Sequence, residues 1–203
     1  MAGHRLHVIL AAAVSACAGT TAPPPVVAPP PVVTIRLESA TLSPTRADGR
    51  AWDGSSPAAA STAQQLVRGA LMVVDPHAAV LAVLAGPAAS VLSKPKPEGG
   101  VQLCERGVCG VAVPIAGQSD TVTPMFGVPL QHVRLDDGVQ LRVSLTDKRW
   151  FGFSSVPIGT VDLTANDLLA ALNQGGGHVY DVRVDNQGTQ QILFVGVSVI
   201  REQ

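Results

Sequence analysis

The chain has 203 residues, of which 46% are hydrophobic, 14% charged and only 3% aromatic, with a formal net charge of −1. That length leaves room for one ordinary domain and little more. The near-neutral charge and scattered Lys and Arg provide no basic face of the kind that phosphate-backbone binding needs, which excludes nucleic acid as a natural partner.

In chain order, the first segment reads as a secretory signal over 1–16: Arg5 and two histidines, the short apolar run Val8 to Val14, then small residues up to Cys17. The run is too short to cross a bilayer of ~30 Å as a helix. Val14-Ser15-Ala16-Cys17 resembles the lipobox of bacterial lipoproteins, an aliphatic residue and two small ones before a cysteine that is lipidated and becomes the new N-terminus. The other reading is an ordinary signal peptide cut after Ala16 or Ala18, leaving a spare thiol. The resemblance implies acyl chains on Cys17, each buried methylene contributing ~0.8 kcal/mol to membrane attachment. Because Ala18 is not aspartate, it also implies placement in the outer membrane, facing the periplasm.

Residues 17–32 then form a tether. Its clusters Pro23-Pro24-Pro25 and Pro29-Pro30-Pro31 favour polyproline II at ~3.1 Å per residue, a semi-rigid spacer. A recognition peptide for a proline-binding groove is the alternative use of such a composition.

The domain proper is expected over 33–203 as an all-β antiparallel sandwich. Short alternating or aliphatic runs broken by Gly, Pro, Asp and Asn carry that expectation. Strands are predicted at Val33–Leu42, Ala78–Ala85, Val101–Cys104, Gly110–Val113, Val128–Leu135, Val139–Thr146, Pro157–Leu163, Val179–Val184 and Gln191–Ile200. Two helical insertions are predicted, at Ala58–Val74 and at Ala165–Leu172, the second capped by Thr164. Arg68, Asp75-Pro76 and Gly86-Pro87 interrupt the aliphatic stretch between Leu66 and Leu92, so it reads as a buried helix followed by a strand, and not as a membrane span.

From Thr34 to Leu172 the order of motifs resembles a C2 domain. The pieces are Asp48-Gly49 to Asp53-Gly54 as a first loop, Asp75-Pro76-His77 as a strand entry, Thr121-Val122-Thr123-Pro124-Met125-Phe126 as a turn, a strand ending at Asp147, and Pro157-Ile158-Gly159 opening the next. The resemblance implies a C2-like antiparallel β-sandwich and, in the family's calcium-binding members, carboxylates gathered at one end. Asp75 and Asp147 match ligand positions, with Asp48 or Asp53 for another. However, Lys148-Arg149 follows Asp147, and Ser154 and Ser155 stand where further acids would be. A calcium ion needs about six oxygen ligands, so no metal and no cofactor is expected, with Asp147 bonded to local backbone amides or paired with the adjacent cation.

The run Asp147, Lys148, Arg149, Trp150, Phe151, Gly152, Phe153 concentrates cations and aromatics in a chain poor in both. It reads either as a binding tip suited to acidic partners or a membrane interface, or as aromatics folded under the loop as satellite core. Cys104 and Cys109 enclose a plausible hairpin tip, and in an exported protein they are expected to oxidise to each other, worth about 2 kcal/mol by loop closure. Zinc would want four ligands, and a redox pair a shorter spacing. Gly152-Phe153-Ser154-Ser155-Val156 lacks the final glycine of a nucleophile elbow, and His77, His132 and His178 show no metal-ligand spacing. The expectation is therefore a non-enzymatic module with two partners: the membrane through its lipid anchor, and an unidentified envelope protein. The alternative is a calcium- or lipid-binding C2 domain touching a membrane through the Asp147–Phe153 loop.

Overall fold

The computed structural model describes residues 29–55, 58–148, 155–184 and 191–202. It is an antiparallel β-sandwich. One sheet has the order β5-β1-β9-β8, built from β1 (Val32–Leu42), β5 (Met125–Arg134), β8 (Tyr180–Arg183) and β9 (Ile192–Arg201). The other runs β3-β2-β6-β7, from β2 (Pro97–Glu105), β3 (Val108–Cys109), β6 (Val139–Lys148) and β7 (Ser155–Thr164), with β4 (Val113–Ile115) also paired to β2. Every strand pair is antiparallel.

The period-two alternation read from the sequence is what assembles the core. Val33, Ile35 and Leu37 on β1 face inward together with their cross-strand partners Val199 and Val197 on β9, while Leu141, Val143 and Leu145 do the same on β6. Glu38 is the extra residue where the register shifts between Leu37 and Ser39, and beyond it Ala40 and Leu42 return to the core. Such a bulge keeps the inward face apolar while the strand bends. Aliphatic side chains dominate, as the shortage of aromatics requires; Trp52 is buried and anchored by its indole N–H to the Ser43 carbonyl at 3.1 Å.

β9 is buried from Ile192 through Val199, on both faces. It is a central strand, flanked by β1 and β8, and α4 (Ala165–Asn173) packs against β7, β8 and β9. Thr164 caps α4 as predicted. Its hydroxyl accepts from the Asp167 amide, and the Asp167 carboxylate accepts from the Thr164 amide at 2.8 Å, a capping box worth about 1 kcal/mol.

The stretch between β1 and β2 departs from the expectation. Ala78–Ala85 lies within a helix, α2 (Pro76–Ala85), between α1 (Ala58–Ala70) and the short α3 (Pro87–Ser90). Asp75 and Pro76 are the cause. The Asp75 carboxylate accepts from the Ala78 amide at 3.1 Å, and proline at the first helical position needs no N–H partner. The same dipeptide that resembles a strand entry is here a helix N-terminus. The first insertion therefore carries three helices, and α1 ends at Ala70, before the predicted Val74. Gly110–Val113 is likewise no strand of its own: β3 ends at Cys109 and β4 starts at Val113.

The registers sort the connections to two ends. Val32, where the tether enters, pairs with Arg134 and lies at the same end as the β2–β3 hairpin and the Asp136–Gly138 turn. The opposite end receives residues 43–96 and 116–124, together with the ends of β6 and β8 and the starts of β7 and β9. At the tether end, Arg106 and Gly107 take positive φ (50° and 84°), a two-residue hairpin turn, and Cys104–Cys109 close it as the expected disulfide.

Candidate functional site

Three features gather at or near the end opposite the tether. The first is what can be described of the predicted binding loop. Arg149, Trp150, Phe151 and Phe153, with Ser154, lie outside the described residues. Asp147 is not a loop residue: it sits on the inward face of β6, 5% exposed, and its carboxylate accepts from the Lys96 amide at 2.8 Å, across to the segment leading into β2. Lys148 is an exposed strand residue whose Nζ lies 3.1 Å from Glu98.

The other acids of the supposed calcium loops are occupied by their own turns. Asp48 accepts from the Arg50 amide at 3.0 Å, Asp75 caps α2, and Asp53 accepts from the Ser55 amide at 2.8 Å, which holds its carboxyl below 3.8. Among the described residues no group of three or more His, Cys, Asp or Glu comes together to hold a metal.

The second feature is one that no sequence spacing announced. On the outer face of the first sheet, the cross-strand pair Thr41 and Phe194 and the pair Asp181 and Gly196 share one surface, and α2 delivers His77 onto it. The imidazole lies 4.8 Å from the Phe194 ring, its Nδ1 stands 2.9 Å from the Asp181 carboxylate, and its Nε2 stands 3.2 Å from the Thr41 hydroxyl. Burial is the largest influence on Asp181 and leaves its carboxyl above 3.8, with His77 pulling the other way.

The order hydroxyl, imidazole, carboxylate is that of a nucleophilic relay. Thr41 is only 4% exposed, one residue from the end of β1, so its hydroxyl is largely shielded from any substrate. What it does is structural. One side chain from the insertion is tied to three strands, β1, β8 and β9.

The third feature is a cleft of about 390 Å³ at the end itself, lined by Arg46, Ala47, Asp48, Val156, Pro157, Ile158, Gly159 and Gln191. Its walls are mainly apolar. Arg46 is held by backbone bonds of the 46–50 turn, its amide to the Arg50 carbonyl at 2.9 Å and its carbonyl to the Gly49 amide at 3.0 Å. Its Nε is buried with no hydrogen-bond acceptor among the described residues. Gly49 closes that turn at φ 77°, a conformation cheap only for glycine.

Beside these features, the α1–α2 corner leaves large aliphatic side chains in water. Met72 is 82% exposed and Val74 fully so, with Leu66, Val73 and Val91 also exposed. Among the described residues no helix is long and apolar enough to cross a membrane.

The fold so defined is an all-β antiparallel sandwich carrying helical insertions. No family model and no curated protein matches the chain. Among solved structures it is similar to the C2A domain of plant Extended Synaptotagmin 1, with 10% identity over 87% of this chain and 99% of that one, at a TM-score of 0.43. Human GIVD cytosolic phospholipase A2 is similar at 13% identity over 87% of this chain but 17% of its own length, TM-score 0.44. The C2A and C2B domains of Extended-Synaptotagmin 2 match at 12% identity over 97% of this chain and 49% of that chain, TM-score 0.40. Likenesses this distant leave the functional reading to rest on this molecule's own residues.

Proposed function

We propose that the protein is an exported, non-catalytic binding module of the cell envelope. It is held to the outer membrane on its periplasmic side by acyl chains on Cys17, and it engages another envelope component, without calcium, through the end opposite its tether. The observation that carries this reading is the separation of the two ends. The proline-rich segment reaches the sandwich at Val32, while the long connections, the apolar cleft and the exposed aliphatic corner belong to the far side of the molecule. Carboxylates already bonded to backbone amides at Asp48, Asp53, Asp75 and Asp147 support calcium independence, since each would have to surrender a bond to reach a metal.

Mass spectrometry of the protein from its native envelope tests the anchor: a diacylated or triacylated N-terminal Cys17 is expected, and an unmodified thiol in an uncut N-terminus ends the proposal. Crosslinking from positions 47 and 157, compared with position 107 in the hairpin at the tether end, tests the contact end. Partners should be captured from the first two only.

A second reading, direct contact with a bilayer, is favoured by one observation, the exposed Met72, Val73 and Val74 at the α1–α2 corner. Sedimentation of the unlipidated Cys17→Ser chain with phosphatidylglycerol vesicles, lost on Met72→Asp plus Val74→Asp, is its expected signature.

A further inference from the structure

We infer that the cleft beside Arg46 is a binding site for a small amphiphilic anion, a single carboxylate or phosphate group carried on an aliphatic arm. The inference rests on the reading of this end as the contact end and names the chemistry it would hold.

The volume, about 390 Å³, falls within the ~300–1,000 Å³ typical of small-molecule sites. The walls from Val156, Pro157 and Ile158 provide no hydrogen-bonding side chain, so they accept an aliphatic arm and discriminate against a polar one. Gln191 is already engaged: its backbone N–H donates to the Ile158 carbonyl at 3.1 Å, its carbonyl accepts from the Ser43 amide at 2.7 Å, and the residue is 5% exposed.

The charge balance selects the sign of the ligand. Asp48 also lines the cleft, but one of its oxygens accepts from the Arg50 amide at 3.0 Å and the other lies 3.9 Å from the Arg50 guanidinium. Asp48, the only acid in the lining among the described residues, is thus engaged by its own turn. Among the described residues Arg46 has no ion pair and its buried Nε finds no acceptor, a desolvated donor whose cost an incoming anion would offset. A guanidinium fork is matched by a carboxylate or phosphate through two parallel bonds. Among the described residues the lining thus offers a single cation, unpaired, beside apolar walls, which fits one anionic group with an aliphatic arm and not a sugar, a cation or a polyanion.

Calorimetric titration of the full chain, as Cys17→Ser, with octanoate and with octyl phosphate below their micelle-forming concentrations tests the site, with octanol as the neutral control. Both anions should give saturable heats, with octanol at least tenfold weaker. Arg46→Gln should lower anion affinity tenfold or more and bring it level with octanol, while melting at the temperature of the parent chain. Should Arg46→Gln not fold, Pro157→Glu at an exposed wall position provides the check, weakening the anions more than octanol.

Equal affinity for octanoate and octanol, an unchanged titration in Arg46→Gln, or no saturable heat from either anion would overturn the inference. Phosphatidylglycerol vesicles distinguish the source of the anion: Arg46-dependent sedimentation points to a lipid headgroup, and Arg46-dependent octanoate binding without it to a free amphiphile. The two readings fail separately. An unmodified Cys17, or a partner crosslinked only at the tether end, removes the proposed function and leaves these titrations standing.

Discussion

Replacing His77 with alanine removes one side chain and three contacts. The bond to the half-buried Asp181 carboxylate is charge-assisted, a class worth about 1.5–3 kcal/mol; the Thr41 bond adds about 1 kcal/mol, and the ring contact with Phe194 about 0.5–1 kcal/mol. Both ion-pair partners keep just over a quarter of their side-chain surface in water, 27% and 28%, so water replaces part of what is lost. We expect a net cost of about 2–3 kcal/mol, which for a chain of this size lowers the melting temperature by roughly 4–12 °C.

Asp181→Asn should cost less, about 1 kcal/mol or under, because its amide oxygen still accepts from the ring while the penalty of burying a charge disappears. The pH dependence follows from the same residue. A carboxyl whose folded value is raised contributes stability that is complete below the unfolded value and is lost as pH rises through the folded one. The gap between parent and Asp181→Asn should therefore narrow or reverse as pH climbs from 3.8 through the higher value Asp181 has in the fold. Differential scanning calorimetry across that window, with the double mutant closing the cycle, measures both effects. A His77→Ala melt within 1 °C of the parent, or single-mutant costs that add without coupling, would refute the clamp.

Gly99→Ala should destabilise by at least about 3 kcal/mol in urea titration with an unchanged m-value, because a Cβ there would sit 1.9 Å from the Ser144 carbonyl oxygen of the adjacent strand. Reducing Cys104–Cys109 should cost about 2 kcal/mol, seen as a lower melting temperature in dithiothreitol. Asp162, held below 3.8 by the Arg142 guanidinium, contributes stability that is present above 3.8 and lost as pH falls through its lower folded value, so acid unfolding should be shallower in Asp162→Asn. Val74→Asp should leave stability within about 0.5 kcal/mol and raise solubility, read by the concentration at which light scattering begins.

The strands were legible because one face of each is buried: β1 and β6 alternate cleanly, and each occupies the place its alternation predicted. α2 was not, because Pro76–Ala85 is apolar on nearly every side and has no helical stripe to read; only Asp75-Pro76 signalled a helix start, and the family resemblance led the other way. The His77 clamp joins residues 41, 77, 181 and 194, a set assembled by cross-strand register, which no local spacing encodes. Arg46 was illegible for a similar reason. Nothing in Thr45-Arg46-Ala47 says that its buried Nε would find no acceptor among the described residues, while the neighbouring Asp48 turns to Arg50.

The first strand of the domain and the last lie side by side, Val33 against Arg201 and Leu42 against Ile192. Loop closure over that span is entropically expensive and slow, and β5 and β8 each add to the pair from outside. A chain still being synthesised or threaded through a pore, with residues beyond Ile192 not yet emerged, has no partner for the inner edge of β1 and no middle for its sheet. The two edges of β1 are thus filled at different times, β5 being available before β9, and the first sheet gains its middle only when β9 arrives.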